Sequence, residues 1–486
     1  MRVHLVGVSG TGMGALAALL REAGDEVSGS DVAFDPPVGP MLRGLGIRCL
    51  EGYDAAHLEP RPDLVVVGNA IRRSNVEAQA AEALDLPRTS MSRALRDRFL
   101  TRRRPLVVAG THGKTTTSAM CAWLLVRAGY DPGWFIGGLP KGLPASAAIG
   151  STHVRPGRGR APFVVEGDEY DAVYWHKAPK FFDYVGVGPD DVAIVTSVEH
   201  DHIDIYPDVA SYEAAFRAFV RAVPEAGLIV CDAHDARARA IVSSEARARV
   251  AWYALERDDT GDVNPGWVAA PAAPLPGSGA AQAFDLFAGG VSCGRFTMRV
   301  PGHHNVRNAA AAIAACAEGF GASVTELRGH LGAFEGVRRR QDLLGEPGGV
   351  RVYDDFAHHP TAVDETLRAL RARHPQGALW VAFEPRSATA CRALHQEAYA
   401  RAFDAADHVL LAPLGRSLPE GERLDLQRLA RDLGPKGEAM PGVAAIVERL
   451  VRDASPGDTV AVLSNGAFGG IHGKLLDGLA RPRPAP

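Results

Sequence analysis

Short apolar runs alternate with helical stretches along most of the chain. Near the start, VHLVGV, EVSGSD and DLVVVGNAI are typical of strands, and a helix-like stretch follows the first of them. In the last part, GVRVYDD, ALWVAF, DHVLLAPL and DTVAVLSN alternate with helical stretches that begin at Thr361, Ala388 and Gly469. Because strands that alternate with helices favour parallel sheets, the pattern predicts an α/β protein.

The chain has 486 residues, which is too many for one domain, since a domain usually has about 100 to 200 residues. Changes in the pattern predict three domains, at residues 1–103, 104–333 and 334–486. The arginine run from Arg102 to Arg104 predicts a solvated linker. Residues 261–290 are rich in Ala, Pro and Gly and predict a long loop or a weak hairpin.

Composition narrows the functional classes. A hydrophobic content of 46% and a net charge of −4 are those of a globular protein with no electrostatic basis for binding nucleic acid. Six scattered cysteines without a C-x-x-C pair disfavour a disulfide framework and a structural zinc site. With neither a signal peptide nor a long apolar run, we expect a cytoplasmic protein with no membrane partner. The oligomeric state stays open between a monomer and a weak dimer.

The stretch VVAGTHGKTTT carries the strongest chemical signal. An apolar strand ends in a glycine turn that opens on a lysine and three threonines at a predicted helix start. Glycines let backbone N–H groups approach phosphates, the lysine reaches the outer phosphates, and a threonine hydroxyl can hold Mg²⁺. Val108 replaces the first glycine of the standard pattern, so this is a variant P-loop. The candidate nucleotide-binding residues here are Gly110, Thr111, His112, Gly113, Lys114, Thr115 and Thr116.

A second glycine turn, VGVSGTGMG, follows the first predicted strand. Asp31 ends the next strand, at the spacing where a βαβ nucleotide site places its ribose-binding acid. Ser9 interrupts the G-x-G-x-x-G spacing, and a turn that merely packs a helix on a sheet is the alternative. A nicotinamide-dependent oxidoreductase would account for this turn, but it leaves the P-loop unexplained.

Acidic residues follow the strand ending at Val165, in the sequence EGDEYD. A carboxylate here, such as Glu166, can hold Mg²⁺ opposite Thr115. The alternative is a strand end that is merely acidic. Further on, VEHDHID places His200 and His202 on one face of an extended segment. The absence of a nearby cysteine or third histidine disfavours zinc there, and spacing alone leaves His202 open as metal ligand or structural hydrogen-bonder.

Two later motifs lie at a helix start and at a strand end. Asn305 and Asn308 open an alanine-rich helix, where two amides can grip an adenine edge or merely cap the helix. YDDFAHHP, which contains Asp355 and His359, follows a strand in a different predicted domain from the P-loop. Such residues complete a nucleotide site only when the domains close on each other.

Taken in order, VVAGTHGKTTT, EGDEYD, EHDHIDIY, PGHHNVRNAAAA, GVRRRQD and YDDFAHHP resemble the motifs of the Mur ligases, the ATP-dependent peptide-bond-forming enzymes of peptidoglycan synthesis. The resemblance covers nearly the whole chain. VGVSGTGMGALA, VVGNAIRRSN, FIGGLPKGLPAS, FEPRSAT and SNGAFGGIHGKLL are most similar to the recycling branch, which joins a murein tripeptide to UDP-N-acetylmuramate. The branch that adds L-alanine to the same nucleotide shares the core motifs and is the alternative.

The resemblance implies a Rossmann-like UDP-binding first domain, a central P-loop ATPase-type domain and a Rossmann-like C-terminal domain. It also implies ATP and Mg²⁺ as cofactors, with UDP-N-acetylmuramate and the tripeptide as substrates. The metal residues it implies are Thr115, Glu166 and His202. The substrate-nucleotide residues are Gly10, Thr11, Gly12, Met13, Gly14, Asp31 and Asn69, and the peptide residues are Arg386, Asn465 and His472.

By the same resemblance, Asn305 and Asn308 contact adenine, while Arg340 and Asp355 reach the phosphates and ribose of ATP. The implied catalytic residues are Lys114, His202, Arg340 and His359, and the two histidines are both candidates to accept the amine proton. Several Mur ligases carry a carbamylated lysine about fifteen residues after the histidine that matches His202. Phe216 or Arg217 stands there, as expected for these two branches, so no carbamate is expected. A P-loop regulatory switch is a further alternative, but no NKxD-type motif supports it.

Overall fold

Three sheets organise the chain in the computed structural model, which describes residues 1–152, 159–274, 277 and 279–481. Each sheet carries helices on its faces, so the protein has the predicted α/β fold in three parts. None of the helices in the described residues is both long enough and apolar enough to cross a membrane.

The first sheet has five parallel strands in the order β3-β2-β1-β4-β5. Its elements are β1 (Arg2–Val6), α1 (Thr11–Glu22), β2 (Glu26–Asp31), α2 (Val38–Gly44), β3 (Arg48–Glu51), β4 (Leu64–Val67), α3 (Val76–Ala83), β5 (Arg88–Ser90) and α4 (Met91–Leu95). From β1 the next two strands are added on one side of the sheet, and β4 and β5 are added on the other side. Open α/β sheets bind ligands where the strand order changes side in this way, which here is between β1 and β4.

The second sheet has ten strands and contains the P-loop strand near its middle. Its strands are β6 (Arg104–Ala109), β7 (Gly133–Phe135), β8 (Ala147–Ala148), β9 (Pro162–Glu166), β12 (Val192–Val195), β13 (Leu228–Asp232), β14 (Arg249–Leu255), β15 (Trp267–Ala272), β16 (Gln282–Ala288) and β17 (Val291–Met298). A separate hairpin pairs β10 (Asp171–Val173) with β11 (His176–Pro179), and the helices are α5 (Lys114–Arg127), α6 (Val209–Ala222), α7 (Ala236–Glu245), α8 (His303–Ala314) and α9 (Val324–Leu331). Since β6 lies parallel between β12 and β9, the motifs that follow these three strands meet at one edge.

The third sheet has six strands in the order β18-β19-β23-β20-β21-β22, and β18 alone is antiparallel to its neighbour. Its elements are β18 (Asp342–Gly345), β19 (Arg351–Asp355), α10 (Pro360–Arg373), β20 (Leu379–Phe383), α11 (Gln396–Ala402), β21 (His408–Leu411), α12 (Leu426–Asp432), β22 (Gly437–Ala439), α13 (Val443–Asp453), β23 (Thr459–Leu463) and α14 (Ile471–Ala480). Short 3-10 or π turns lie at Ala55–Leu58, Arg96–Leu100, Lys180–Asp183, Ala315–Gly319, Pro347–Gly349, Ala393–His395, Gly434–Lys436 and Phe468–Gly470.

Two sequence predictions about connecting segments are wrong. The arginine run is not a solvated linker, because Arg103 is 2% exposed and Arg104 begins β6. The Arg103 guanidinium donates to the backbone oxygens of Phe99 and Gly150, which anchors it inside the protein. The helix predicted from Ala388 begins eight residues later, in α11. The hairpin alternative for residues 261–290 is correct where the structure describes them, since β15 and β16 pair there.

Helix α5 carries the P-loop lysine at its first position. Every residue from Thr115 to Leu125 is buried, and α5 packs beside α8 against the central sheet. Burial on all sides holds a helix in one position, because any displacement would open a cavity in a close-packed interior. The core therefore fixes the start of α5 relative to the strand ends around it.

A buried carboxylate holds the first domain together. Glu77 is 0% exposed and accepts hydrogen bonds from His4 at 3.2 Å, His57 at 2.7 Å, the Asp54 N–H at 3.1 Å and the Ser30 hydroxyl. Burial, the largest influence, would raise the pKa of Glu77, but these hydrogen bonds lower it below 4.5. The ionised carboxylate is thus stabilised in the folded state.

Glu77→Ala should lower the free energy of unfolding by about 3 kcal/mol, because its buried partners lose their acceptor. The wild-type protein should lose the part of this contribution that depends on the charge of Glu77 as the pH falls from 4.5 through the lower folded-state pKa, whereas the variant has no such part to lose. Denaturant unfolding at several pH values measures both effects. Glu82→Ala, on the same helix but half-exposed, should change stability by no more than about 0.5 kcal/mol. Equal effects of the two substitutions would contradict the prediction.

Candidate active site

The glycines of the P-loop occupy positions where a side chain does not fit. Gly110 has φ 133° and Gly113 has φ 77°. A Cβ atom would lie 2.0 Å from Thr196 Oγ1 at the first position and 2.4 Å from Asn308 Oδ1 at the second. The loop therefore closes tightly on its neighbours and places the first turn of α5, with its free N–H groups, at the edge of the sheet.

Lys114 lies against the loop and pairs with a buried acid. Its Nζ donates to the Gly110 oxygen at 2.6 Å and lies 2.9 Å from Glu169, which is 1% exposed. Burial would lower the pKa of Lys114, but the charge and hydrogen bond of Glu169 outweigh it and raise the pKa. The lysine is therefore a fixed positive charge at the phosphate-binding loop.

Glu166 ends β9 directly opposite the first turn of α5. The Thr115 hydroxyl donates to its Oε1 at 2.7 Å, and the Gly137 N–H donates to its Oε2 at 2.6 Å. Burial and then the charge of Asp168 raise the pKa of Glu166. A hydroxyl beside a buried carboxylate is an oxygen donor set that fits Mg²⁺. Mg²⁺ binding by these two residues stays a prediction.

The two histidines of EHDHID do not share a face, contrary to the prediction. The segment is a turn, because His202 has φ 51°, and only an extended segment would align the two rings. The His200 ring bonds the Tyr206 oxygen at 2.9 Å, whereas His202 Nε2 lies 3.2 Å from Glu169. Burial would lower the pKa of His202, but the hydrogen bond and charge of Glu169, with Asp201, raise it to about 9. His202 thus favours its protonated form beside Glu169, and its role as a metal ligand stays a prediction.

The two asparagines lie beside the P-loop at the start of α8. Both are buried; Asn305 donates to the Pro301 oxygen at 2.7 Å and Asn308 donates to Asn305 at 3.3 Å. Asn308 also packs against Gly113. The start of α8 therefore lies directly beside Gly113 of the P-loop, while the proposed adenine contact stays a prediction.

The third domain contributes side chains to the same place. Arg340 Nη2 donates to the Thr115 hydroxyl at 3.3 Å, and its guanidinium lies 4.9 Å from the Phe356 ring centre. His359 caps the N-terminus of α10, and its ring centre lies 4.7 Å from that of His112 in the P-loop, with the two rings tilted by 47°. Asp355 instead braces a turn, since it accepts the backbone N–H groups of residues 341 and 357. The structure thus brings three of the four predicted catalytic residues, Lys114, Arg340 and His359, to the P-loop, and His202 joins them through Glu169.

Backbone contacts hold this interface closed. The Lys141 N–H donates to the Gly336 oxygen at 2.8 Å, and the Arg338 N–H donates to the Leu139 oxygen at 2.9 Å. Residues before β18 therefore run along the loop after β7 and carry Arg340 to the P-loop.

Two acids link the predicted site residues, and the sequence analysis named neither of them as a site residue. Glu169 joins Lys114 to His202, and Glu199 contacts His112 at 3.0 Å and His359 at 3.5 Å. Both lie within the acidic motifs that follow β9 and β12. Their position in those motifs indicates that they lie near the site. The motifs do not indicate which basic side chain each acid contacts, because that depends on the loops between the strands.

The glycine turn of the first domain divides into packing and ligand-facing positions. A Cβ on Gly12 would lie 2.9 Å from Met91 Sδ, and a Cβ on Gly14 would lie 2.6 Å from Val38. These two glycines pack α1 closely, as in the alternative interpretation of the turn. At Gly10 the nearest neighbour would be a backbone oxygen 3.7 Å away, so this position leaves room for a ligand.

The residues around this turn have structural partners of their own. Asp31 accepts the Ser9 N–H at 2.8 Å and the Tyr53 hydroxyl at 3.3 Å. Thr11 begins α1 and is exposed, whereas Met13 is buried.

Exposed Asn69 lines a cleft of about 250 Å³ between the first domain and the β10–β11 hairpin. This cleft leads from the first domain to the central one.

The predicted peptide residues lie at one edge of the third sheet. Arg386 has a half-exposed side chain 3.5 Å from Glu384, and it packs against Gly466, next to Asn465. His472 lies 3.1 Å from Asp354, which also pairs with Arg339. Of the three residues, Arg386 is the one with a charged side chain exposed to solvent, whereas His472 lies against Asp354 within the domain.

A P-loop that an arginine of the third domain contacts at Thr115 is the arrangement of a nucleotide-using enzyme. Three family models match the chain: "Mur ligase family, catalytic domain" at residues 2–102, "Mur ligase middle domain" at 108–316, and "Mur ligase, glutamate ligase domain" at 339–466. The chain belongs to the Mur ligase family and is an ATP-dependent ligase.

Individual relatives match over almost their full length. The UDP-N-acetylmuramate–L-alanyl-γ-D-glutamyl-meso-2,6-diaminoheptandioate ligase of Escherichia coli K12 is 37% identical, with 100% of both chains covered. A UDP-N-acetylmuramate–L-alanine ligase of a Roseiflexus species is 37% identical over 96% of both chains. The crystal structure of a murein peptide ligase from Psychrobacter arcticus is 32% identical, with 100% of both chains covered and a TM-score of 0.73.

Proposed function

We propose that the protein joins L-alanyl-γ-D-glutamyl-meso-diaminopimelate to UDP-N-acetylmuramate at the expense of ATP. The observation that carries this proposal is the 37% identity to the E. coli tripeptide ligase over the whole of both chains. The murein peptide ligase structure matches over the whole chain as well, at 32% identity. Addition of L-alanine is the second candidate, supported by relatives that match at similar identity.

The reaction has two steps. The muramate carboxylate attacks the γ-phosphorus of ATP, so that an acyl phosphate forms and ADP leaves. The amine of the tripeptide then attacks the acyl carbon, the amide bond forms, inorganic phosphate leaves, and the amine gives up a proton. Phosphoryl transfer depends mainly on positioning and charge stabilisation. Lys114 and Arg340 converge on the P-loop and would stabilise the charge that develops on the phosphoryl oxygens.

Thr115 and Glu166 are the residues that would hold Mg²⁺, which supplies positive charge to the phosphates when it is bound. The residues of the chain then have to orient the substrates and exclude water from the acyl phosphate. The contacts between the loop after β7 and residues 336–338 close one side of the site and support this role.

In the metal-free protein, His359 is the better suited of the two histidines to accept the amine proton. Burial, followed by the charges of His112 and His395, lowers the pKa of His359 to about 3, so its ring is neutral at pH 7. His202, with a pKa of about 9, already carries its proton at that pH. The group that accepts the amine proton has to be unprotonated at the working pH.

The substrates would enter from the two outer domains. Room at Gly10 suits the diphosphate of the nucleotide, since it lies before the N-terminus of α1. The cleft at Asn69 leads from there to the central domain. In the third domain the outward guanidinium of Arg386, beside Glu384, suits a diaminopimelate end that carries both a carboxylate and an ammonium group.

A paired-substrate assay tests the proposed function. The protein is incubated with UDP-N-acetylmuramate, ATP and either the tripeptide or L-alanine, and both phosphate release and product mass are measured. We expect the UDP-muramyl-tripeptide, with kcat/KM for L-alanine lower by about 10⁴-fold, because polar groups built to bind a long peptide stay unpaired with a short one. A preference for L-alanine would establish the second candidate, and no product with either amine would refute both.

A further inference from the structure

Three side chains from distant parts of the sequence meet at the interface between the central and third domains. They are His112 of the P-loop, Glu199 after β12 and His359 at the start of α10. His112 Nε2 lies 3.0 Å, and His359 Nδ1 lies 3.5 Å, from Glu199 Oε2. One ligand atom from each residue lies within 4.8 Å of the other two. A single ion could therefore contact all three.

The donor set differs from that of the Mg²⁺ residues. Two imidazoles and one carboxylate are the protein ligands of Zn²⁺ in open sites, where water takes the fourth position. Mg²⁺ prefers oxygen ligands throughout, as Thr115 and Glu166 provide. We propose that His112, Glu199 and His359 form a binding site for a divalent cation of the Zn²⁺ type, which joins the P-loop to the third domain.

Neighbouring groups orient the carboxylate of this site. The Thr361 hydroxyl donates to Glu199 Oε2 at 2.8 Å, and the Thr111 hydroxyl donates to the backbone oxygen of Glu199 at the same distance. Hydrogen bonds of this kind fix metal ligands in the geometry for binding. They come from both domains, so the ligands are aligned only in the closed arrangement.

Burial and charge also suit a cation. His359 is 7% exposed, while the His112 and Glu199 side chains are 17% and 31% exposed, which leaves an approach from one side. The buried carboxylate of Asp201 adds negative charge nearby.

Zn²⁺ binding to the full-length, metal-free protein tests the site. Competition with a chromophoric chelator gives the affinity and stoichiometry for the wild type, Glu199→Gln and His359→Ala. We expect one tight site in the wild type and an affinity at least about 100-fold lower in each variant, since loss of a ligand should cost no less than loss of its supporting hydrogen bonds. Circular dichroism without metal checks folding, and since the two variants alter different domains, either one can carry the test.

Two control variants separate this site from other metal-binding groups. Glu166→Gln removes the proposed Mg²⁺ carboxylate, and His200→Ala removes a nearby histidine whose ring bonds a backbone oxygen. Both should keep the wild-type Zn²⁺ affinity, and a crystal grown with Zn²⁺ should show anomalous scattering between the three ligands. Unchanged affinity in Glu199→Gln and His359→Ala, or loss of the site in Glu166→Gln, would overturn the proposal.

Discussion

Lys114→Ala should reduce the ligation rate by about 10³-fold or more, because the phosphoryl group loses a cation that stabilises its transition state. The ammonium lies 2.6 Å from the Gly110 oxygen, so its position is set by the loop that is proposed to hold the phosphates. Steady-state release of phosphate with UDP-N-acetylmuramate, ATP and the tripeptide measures the effect. We expect kcat to fall much more than the KM for the tripeptide changes, since Lys114 contacts the P-loop and Glu169 of the central domain, whereas the peptide is proposed to bind at Arg386 of the third.

The stability of this variant has to be measured beside its activity. Removing Lys114 leaves buried Glu169 with His202 at 3.2 Å as its remaining charged neighbour, so a loss of up to about 3 kcal/mol is expected. Lys114→Met combined with Glu169→Gln removes both charges and should recover most of that stability without recovering activity. Lys436→Ala, at a side chain that donates to the Phe403 oxygen, serves as the control. Near-normal turnover by folded Lys114→Ala would refute the P-loop assignment.

Glu166→Gln should lower activity at least about 100-fold at ordinary Mg²⁺ concentrations, because the amide replaces the proposed anionic metal ligand. Part of the activity should return as Mg²⁺ is raised, since the Thr115 hydroxyl and the phosphates remain. Titration of the ligation rate with Mg²⁺ gives the shift in the metal concentration that supports half-maximal activity.

Although Glu166→Gln should lower activity, it should leave the stability of the metal-free protein unchanged or raise it. Burial and Asp168 raise the pKa of Glu166 above its unfolded value, so the ionised carboxylate is a cost to the folded protein as the pH rises above 4.5. Glu166→Gln should therefore unfold at the same or a higher temperature than the wild type without metal, and gain less from added Mg²⁺. Glu335→Gln, at a half-exposed ion pair with Arg299, should match the wild type in both. A large loss of metal-free stability would show that Glu166 is mainly structural.

Local sequence patterns predicted the elements that form the site. The strand before the P-loop, the helix that begins at Lys114 and ends before the left-handed Gly129, and the position of Glu166 opposite Thr115 all appear in the structure. Such features depend on neighbours a few residues apart, or on the rule that parallel strands present their carboxyl ends at one edge. The burial of Arg103 was missed because its guanidinium donates to the oxygen of Gly150, which is 47 residues away in the sequence, as well as to that of nearby Phe99.

The sequence by itself determined the family of the enzyme, the P-loop chemistry and the acidic strand ends, because each is written in contiguous residues whose spacing follows strand and helix geometry. Only the tertiary structure decided that Glu169 joins Lys114 to His202 and that Glu199 joins His112 to His359. The physical reason is that these contacts depend on how loops from different strands and domains pack together. Periodicity specifies which face of an element is buried, but it does not specify which distant side chain that face will meet.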